Sequence, residues 1–158
     1  VGWVAFNGGA GAADYLQALD LLASLRLCSN VPGQWGVQTA LGGYQSLQEL
    51  CQPGGRLHDS RRAMLDAVAA SPFLNLVAPG GSMYGFIGVE PEQVPGFDDH
   101  AFALQLLEDE HVLVAPGSSF NVDYRNYFRI TLLPEAAVLE DVFERIDRSL
   151  KKYIKNNN

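Results

Sequence analysis

Lysine is nearly missing from this chain: of 158 residues only Lys151, Lys152 and Lys155 carry an ammonium group, all close to the C-terminus. Charged residues make up 18% and the formal net charge is −7. A phosphate backbone is repelled by such a chain unless basic groups gather on one face. The lysine run reads instead as the last turn of a helix, where cations suit the dipole. No nucleic-acid partner is therefore expected. Cysteine is equally sparse. Cys28 and Cys51 form no disulfide framework, match no metal or redox spacing, and fit buried thiols in a reducing cytoplasm. His58, His100 and His111 stand far apart without ligand spacing, so no metal site is expected. No apolar run approaches the roughly 20 residues a membrane span needs, and none reads as a signal peptide. The chain is thus expected in the cytoplasm, without a membrane partner.

What is present is apolar and periodic, with 47% hydrophobic residues. Val1 to Phe6 alternates as a strand, and Asn7 to Gly11 follows as a flexible loop. Tyr15, Leu16, Leu19, Leu22 and Ala23 recur at helical spacing, with Asp14 placed to cap. Ser29-Asn30-Val31-Pro32 breaks that helix, and Pro32 is well placed to open a second, over about Gln34 to Leu41, ending at Gly42-Gly43. A short third helix is expected over Ser46 to Cys51. From Arg56 helical spacing returns and persists to Ser71-Pro72. Leu74 to Ala78 and Ser82 to Val89 read as strands around a Pro79-Gly80-Gly81 turn. Asp98-Asp99 opens the next helix, and Asp98-Asp99-His100 reads as a capped surface turn. His111 to Val114 is expected as a strand before a Pro116-Gly117 turn, and Tyr127 to Leu132 as another. The last helix carries a stripe of Leu139, Val142, Phe143, Ile146, Leu150 and Tyr153.

The order from Arg56 onward is helix, strand, strand, helix, strand, strand, helix. It predicts an α/β chain whose main part is a small α+β domain: a largely antiparallel sheet with helices on one face. The first strand has no companion, and one strand cannot stand alone. It is expected to complete a sheet whose other strands lie outside this chain. Residues 1–52 are then a remnant of a larger domain, 53–155 a small C-terminal domain, and 156–158 a disordered tail.

Gly9-Ala10-Gly11 between strand and helix invites a dinucleotide reading, but the third small position would be Asp14, which is too large and places negative charge near a pyrophosphate. Ser82, Ser118 and Ser119 follow glycines or lie in turns, where serine is ordinary. Arg129 stands apart. Strand alternation places Tyr127, Arg129 and Thr131 on one face and Phe128, Ile130 and Leu132 on the other. A guanidinium on a strand can grip a carboxylate through two parallel hydrogen bonds. An edge-strand arginine facing water fits the pattern at least as well.

Residues spread along nearly the whole chain resemble the C-terminal portion of class I aminotransferases, the fold-type I enzymes that use pyridoxal 5'-phosphate (PLP), and within them the bacterial alanine-transaminase-like branch. The resemblance rests on Gly2-Trp3, on Leu25 to Pro32, on Gln38 to Ser46, on Pro53 to Leu57, on Gly80 to Phe86, on Val114 to Asn121 and on Phe128-Arg129-Ile130. It implies that Arg129 holds the α-carboxylate of an amino-acid or 2-oxo-acid substrate. It places Tyr84 beside substrate and cofactor, and Gly117, Ser119 and Phe120 at the pocket edge. Ser29 and Asn30 correspond to a segment that approaches the partner subunit of a homodimer. In aspartate-preferring relatives an arginine four residues before the Ser-Asn-x-Pro serine binds the side-chain carboxylate. Here that position is Leu25, with Arg26 one place off, which leans towards a small neutral donor such as alanine, with glutamate and 2-oxoglutarate as the common exchange pair. None of the three lysines matches the family's Schiff-base lysine, so the resemblance implies no catalytic residue in this chain and no activity on its own. A PLP-dependent lyase acting on C–S bonds of the cystathionine type, and a binding module without enzymatic activity, are the alternatives.

Overall fold

The chain divides into two units, Val1–Ser46 and Leu47–Asn158; the structure, a computed structural model, describes residues 1–7 and 9–157. The two units part after Ser46. Gly8, part of the expected first loop, and Asn158, the end of the expected tail, lie outside the described residues.

The first unit is helical. A 3-10 turn, Ala10–Ala12, leads into α1, Ala13–Ser24. Asp14 lies in the first turn of α1 and is not its cap; a carboxylate there still favours the positive end of the helix dipole. The Val1–Phe6 segment expected as a strand carries no ladder. A strand exists through hydrogen bonds to a neighbour, and no described residue pairs with it. α2 spans Val31–Gly42: Pro32 sits in its first turn, as expected, and Asn30 caps it by accepting a hydrogen bond from Gly33 N at 3.2 Å. α3, Ser46–Cys51, has the range expected and carries the chain into the second unit. None of the described residues of these helices is buried. Both thiols, Cys28 and Cys51, are accordingly exposed, which corrects the expectation of buried cysteines.

The second unit has the expected order: α4 (Arg56–Ala70), β1 (Leu74–Leu76), β2 (Tyr84–Val89), α5 (Asp99–Glu110), β3 (Ala115–Pro116), β4 (Tyr127–Thr131) and α6 (Ala136–Asn157). The strands form one four-stranded sheet in the order β1-β2-β4-β3, antiparallel throughout. β4 is therefore an interior strand, flanked by β2 and β3.

Alternation divides the sheet as the sequence predicts. Gly85, Ile87, Val89, Phe128 and Ile130 are buried on one face. The helices cover that face: Phe102 of α5 lies 5.8 Å from Phe128, ring centroid to centroid, and Met64 of α4 packs so closely on Gly85 that a Cβ there would collide with its sulfur. α6 lays Leu139, Phe143, Ile146, Leu150 and Tyr153 into the same core. Val142 sits at its margin. The opposite sheet face is left to Tyr84, Phe86, Tyr127 and Arg129.

Two expectations change. His111–Val114 is not a strand, because His111 ends α5 in the left-handed conformation (φ 57°), with its N–H and that of Val112 returning to the last helical carbonyls. Pairing begins only at Ala115. The tail expected over 156–158 is helical through Asn157, since α6 continues past its buried stripe. No helix among the described residues is long and apolar enough to cross a membrane.

Candidate functional site

The uncovered sheet face gathers the residues singled out from the sequence. On β4, Arg129 pairs with Phe86 of β2 on one side and with Ala115 of β3 on the other. Tyr84 stands opposite Thr131, which makes it the diagonal neighbour of Arg129, within reach for a long side chain. Its ring centroid lies 4.4 Å from Arg129 Cζ. From the β3 flank the chain turns through a 3-10 segment, Gly117–Phe120, whose last residue places its ring centroid 4.5 Å from the same carbon. Arg129 is half-buried between elements on both flanks of its strand. It is not an edge arginine facing water.

Two aromatic faces attract a guanidinium electrostatically, while its hydrogen-bond donors lie in its own plane and point elsewhere. Among the described residues no carboxylate comes within ion-pair distance of Arg129. The group is oriented by contacts that consume none of its donors. Beside it opens a cavity of about 300 Å³, lined by Tyr84, Leu113, Val114, Ala115, Arg129, Ile130 and Thr131.

The turn from β3 is tightly set. Gly117 is buried, and a Cβ on it would lie 2.6 Å from Tyr127 O. Ser118 N donates a 2.7 Å hydrogen bond to Asp99 Oδ2. Asn121, at φ 59°, ends the turn. Asp99 is fully buried, which corrects the reading of Asp98-Asp99-His100 as surface throughout. Asp98 does act as the helix cap, accepting from Ala101 N at 2.8 Å. Ser119 is exposed and belongs to the same turn.

Sequence reasoning missed part of this face. Phe86 stacks on Tyr127 at 5.2 Å and meets Phe120 edge-on at 5.9 Å, and Tyr124 lies 4.7 Å from Tyr127. The alternation of the second strand already put Phe86 beside Tyr84; what it could not supply was the register that sets Phe86 against Arg129. Ser29 and Asn30 belong to the first unit, where the Asn30 side chain serves as the cap of α2. Leu25 is exposed at the end of α1. The three lysines all lie on the exposed side of α6, with Lys152 Nζ bound 2.6 Å from Asp109 Oδ2. Among the described residues no group of three or more His, Cys, Asp or Glu side chains is arranged to hold a metal ion.

A helix-backed antiparallel sheet that presents an oriented, unpaired guanidinium on its other face is suited to holding a small carboxylate. The chain belongs to the aminotransferase class I and II family, whose model matches residues 1–146. It is 40% identical over 153 residues to the glutamate-pyruvate aminotransferase AlaA of Haemophilus influenzae, which covers 96% of this chain and 38% of that protein. Against the alanine aminotransferase of Mycobacterium tuberculosis identity is 37%, covering 96% of this chain and 36% of the relative. A solved aminotransferase from Escherichia coli superposes with a TM-score of 0.85 at 37% identity, over 93% of this chain and 36% of the other. An alanine aminotransferase from Pyrococcus furiosus gives 0.78 at 28% identity, over 90% and 35%. The chain therefore spans well under half the length of the relatives it matches, and its fold is that of their C-terminal part.

Proposed function

We propose that the full-length protein is a PLP-dependent aminotransferase that moves an amino group between a small neutral amino acid, alanine-like, and a 2-oxo acid such as pyruvate or 2-oxoglutarate, and that this chain contributes the grip on the substrate carboxylate. The observation that carries the reading is Arg129: an interior-strand guanidinium framed by Tyr84 and Phe120 at 4.4 and 4.5 Å, with no ion-pair partner among the described residues. An α-carboxylate entering the adjoining cavity meets donors fixed in direction before it arrives, so little orientational freedom is lost on binding. Amino and oxo substrates share that carboxylate, and one arginine serves both halves of the exchange. The names of the relatives support alanine and glutamate–pyruvate chemistry, and Leu25 in place of an arginine supports a donor without a second carboxylate.

PLP, when bound, supplies the electron sink of such reactions. The residues of this chain do not fit its covalent attachment. The lysines are on α6, on the helical side of the sheet, whereas Arg129 occupies the other side. The role proposed for this chain is confined to holding and orienting the substrate. A homodimer in the cytoplasm is the assembly and setting that go with this reading.

The test is Arg129→Ala in the full-length protein, assayed with alanine and 2-oxoglutarate. Loss of a charged bidentate partner from a site that desolvates its ligand lowers kcat/KM by roughly 10²- to 10⁴-fold, about 3–5 kcal/mol. Turnover equal to wild type removes Arg129 from the site. In the isolated chain, borohydride reduction with PLP is expected to give no specific pyridoxyl adduct, and stoichiometric labelling of a single lysine contradicts the reading.

A further inference from the structure

We infer that Asp99, remote in sequence from the site, is a positioning residue for substrate-carboxylate binding: it fixes the Gly117–Phe120 turn and through Phe120 the plane of the Arg129 guanidinium. The inference rests on the function proposed above. Asp99 lies at the start of α5 with its side chain fully buried. Its Oδ2 accepts the Ser118 N–H at 2.7 Å, while Oδ1 has no hydrogen-bond partner among the described residues. A buried carboxylate satisfied on one oxygen is a weak source of stability, and an apolar side chain of similar volume generally serves a core as well or better. What a carboxylate does that a leucine cannot is accept from a backbone N–H at a fixed point.

That point is well chosen. Ser118 follows Gly117, which is pressed against the Tyr127 backbone, and two residues later Phe120 lies 4.5 Å from Arg129 Cζ. The turn is thus pinned from β4 by contact and from α5 by a charge-assisted hydrogen bond. Without the second pin the turn is free to pivot about Gly117, Phe120 leaves the guanidinium, and only the Tyr84 contact holds it. The loss falls equally on every ligand bound by its carboxylate.

The experiment uses the full-length enzyme with Asp99→Leu and Asp99→Asn, each alone and combined with Phe120→Ala. Asp99→Leu removes the acceptor and puts a larger, apolar side chain in its place. It is expected to unfold below the wild-type temperature, since the Ser118 N–H loses its partner, and to raise KM for amino acid and 2-oxo acid by the same factor, on the order of tenfold, with kcat changed by less than about threefold. Asp99→Asn keeps an oxygen for Ser118 N and recovers most of the lost affinity. In the Phe120→Ala background Asp99→Leu adds little, because both act through one contact. Should Asp99→Leu fail to fold, Ser118→Pro deletes the donor and leaves Asp99 in place, and the same rise in both KM values is expected. Wild-type KM values in a folded Asp99→Leu or Ser118→Pro enzyme overturn the inference. So does a rise that Asn fails to rescue, or one that adds in full to Phe120→Ala. If Arg129→Ala leaves activity intact, the function itself fails, whatever Asp99 does.

Discussion

Replacing Gly117 with alanine tests whether the site depends on how closely the turn after β3 approaches β4. The added Cβ would stand 2.6 Å from Tyr127 O, 2.8 Å from Tyr127 Cβ and 2.9 Å from its carbonyl carbon. Non-bonded heavy atoms gain attraction only from about 3.5 Å outward, so the turn or the strand must retreat by roughly 1 Å. Backbone atoms of an interior strand do not yield as the end of a side chain would. Overpacking of this kind costs about 1–3 kcal/mol, measured as the shift in urea midpoint at constant slope. The retreat also has a direction: it carries Phe120 away from the guanidinium. In the full-length enzyme KM should rise for amino and oxo substrates alike, with a smaller change in kcat. A Gly117→Ala protein with wild-type midpoint and wild-type KM values would show that the turn does not need its close approach.

Three further outcomes are expected. Glu110 is held below its ordinary value of 4.5 chiefly by the hydrogen bonds from Arg148, at 2.8 and 3.0 Å; a depressed carboxyl stabilises the fold above its unfolded value and loses that contribution as pH falls through the folded one. The melting-temperature difference between wild type and Glu110→Gln should therefore be full above pH 4.5, shrink on acidification and weaken in high salt; a difference independent of pH refutes the linkage. Phe128→Ala empties a fully buried position where β4 meets α5 and should cost about 3–5 kcal/mol by denaturant titration; a loss under about 1 kcal/mol is incompatible with the packing described. Asn30→Ala removes the α2 cap and should speed amide exchange in the first turn of Val31–Gly42, equivalent to about 1 kcal/mol of local stability; unchanged exchange shows the cap to be idle.

How much of this was readable beforehand depended on the range of the interaction. α6 announces itself because its stripe repeats at helical period, and α3 because glycine and proline bracket a short apolar run. The two faces of β4 follow from alternation alone. What alternation cannot tell is whether a strand is interior or at an edge, and Arg129 reads as either until pairing with β2 and β3 is known. Its significance came from resemblance, not from its own pattern. The strand expected at His111 failed because a left-handed residue ended α5 there, a choice histidine does not advertise. Asp99 escaped notice because its partner, Ser118, lies in a different element, and two neighbouring aspartates look alike in sequence though one caps the helix at its rim and the other is buried. The opening segment alternates convincingly, but alternation states only what a strand would do with a neighbour.

The central place of β4 ties its two faces together. Phe128, wholly enclosed, and Arg129, open to the cavity, are adjacent on one ribbon. Sliding that ribbon by a single residue against its neighbours would drive the cation into the core and turn the phenyl ring to the cavity. The register that buries Phe128 is thus the register that opens Arg129 to the cavity, and a slip that spoils one spoils the other.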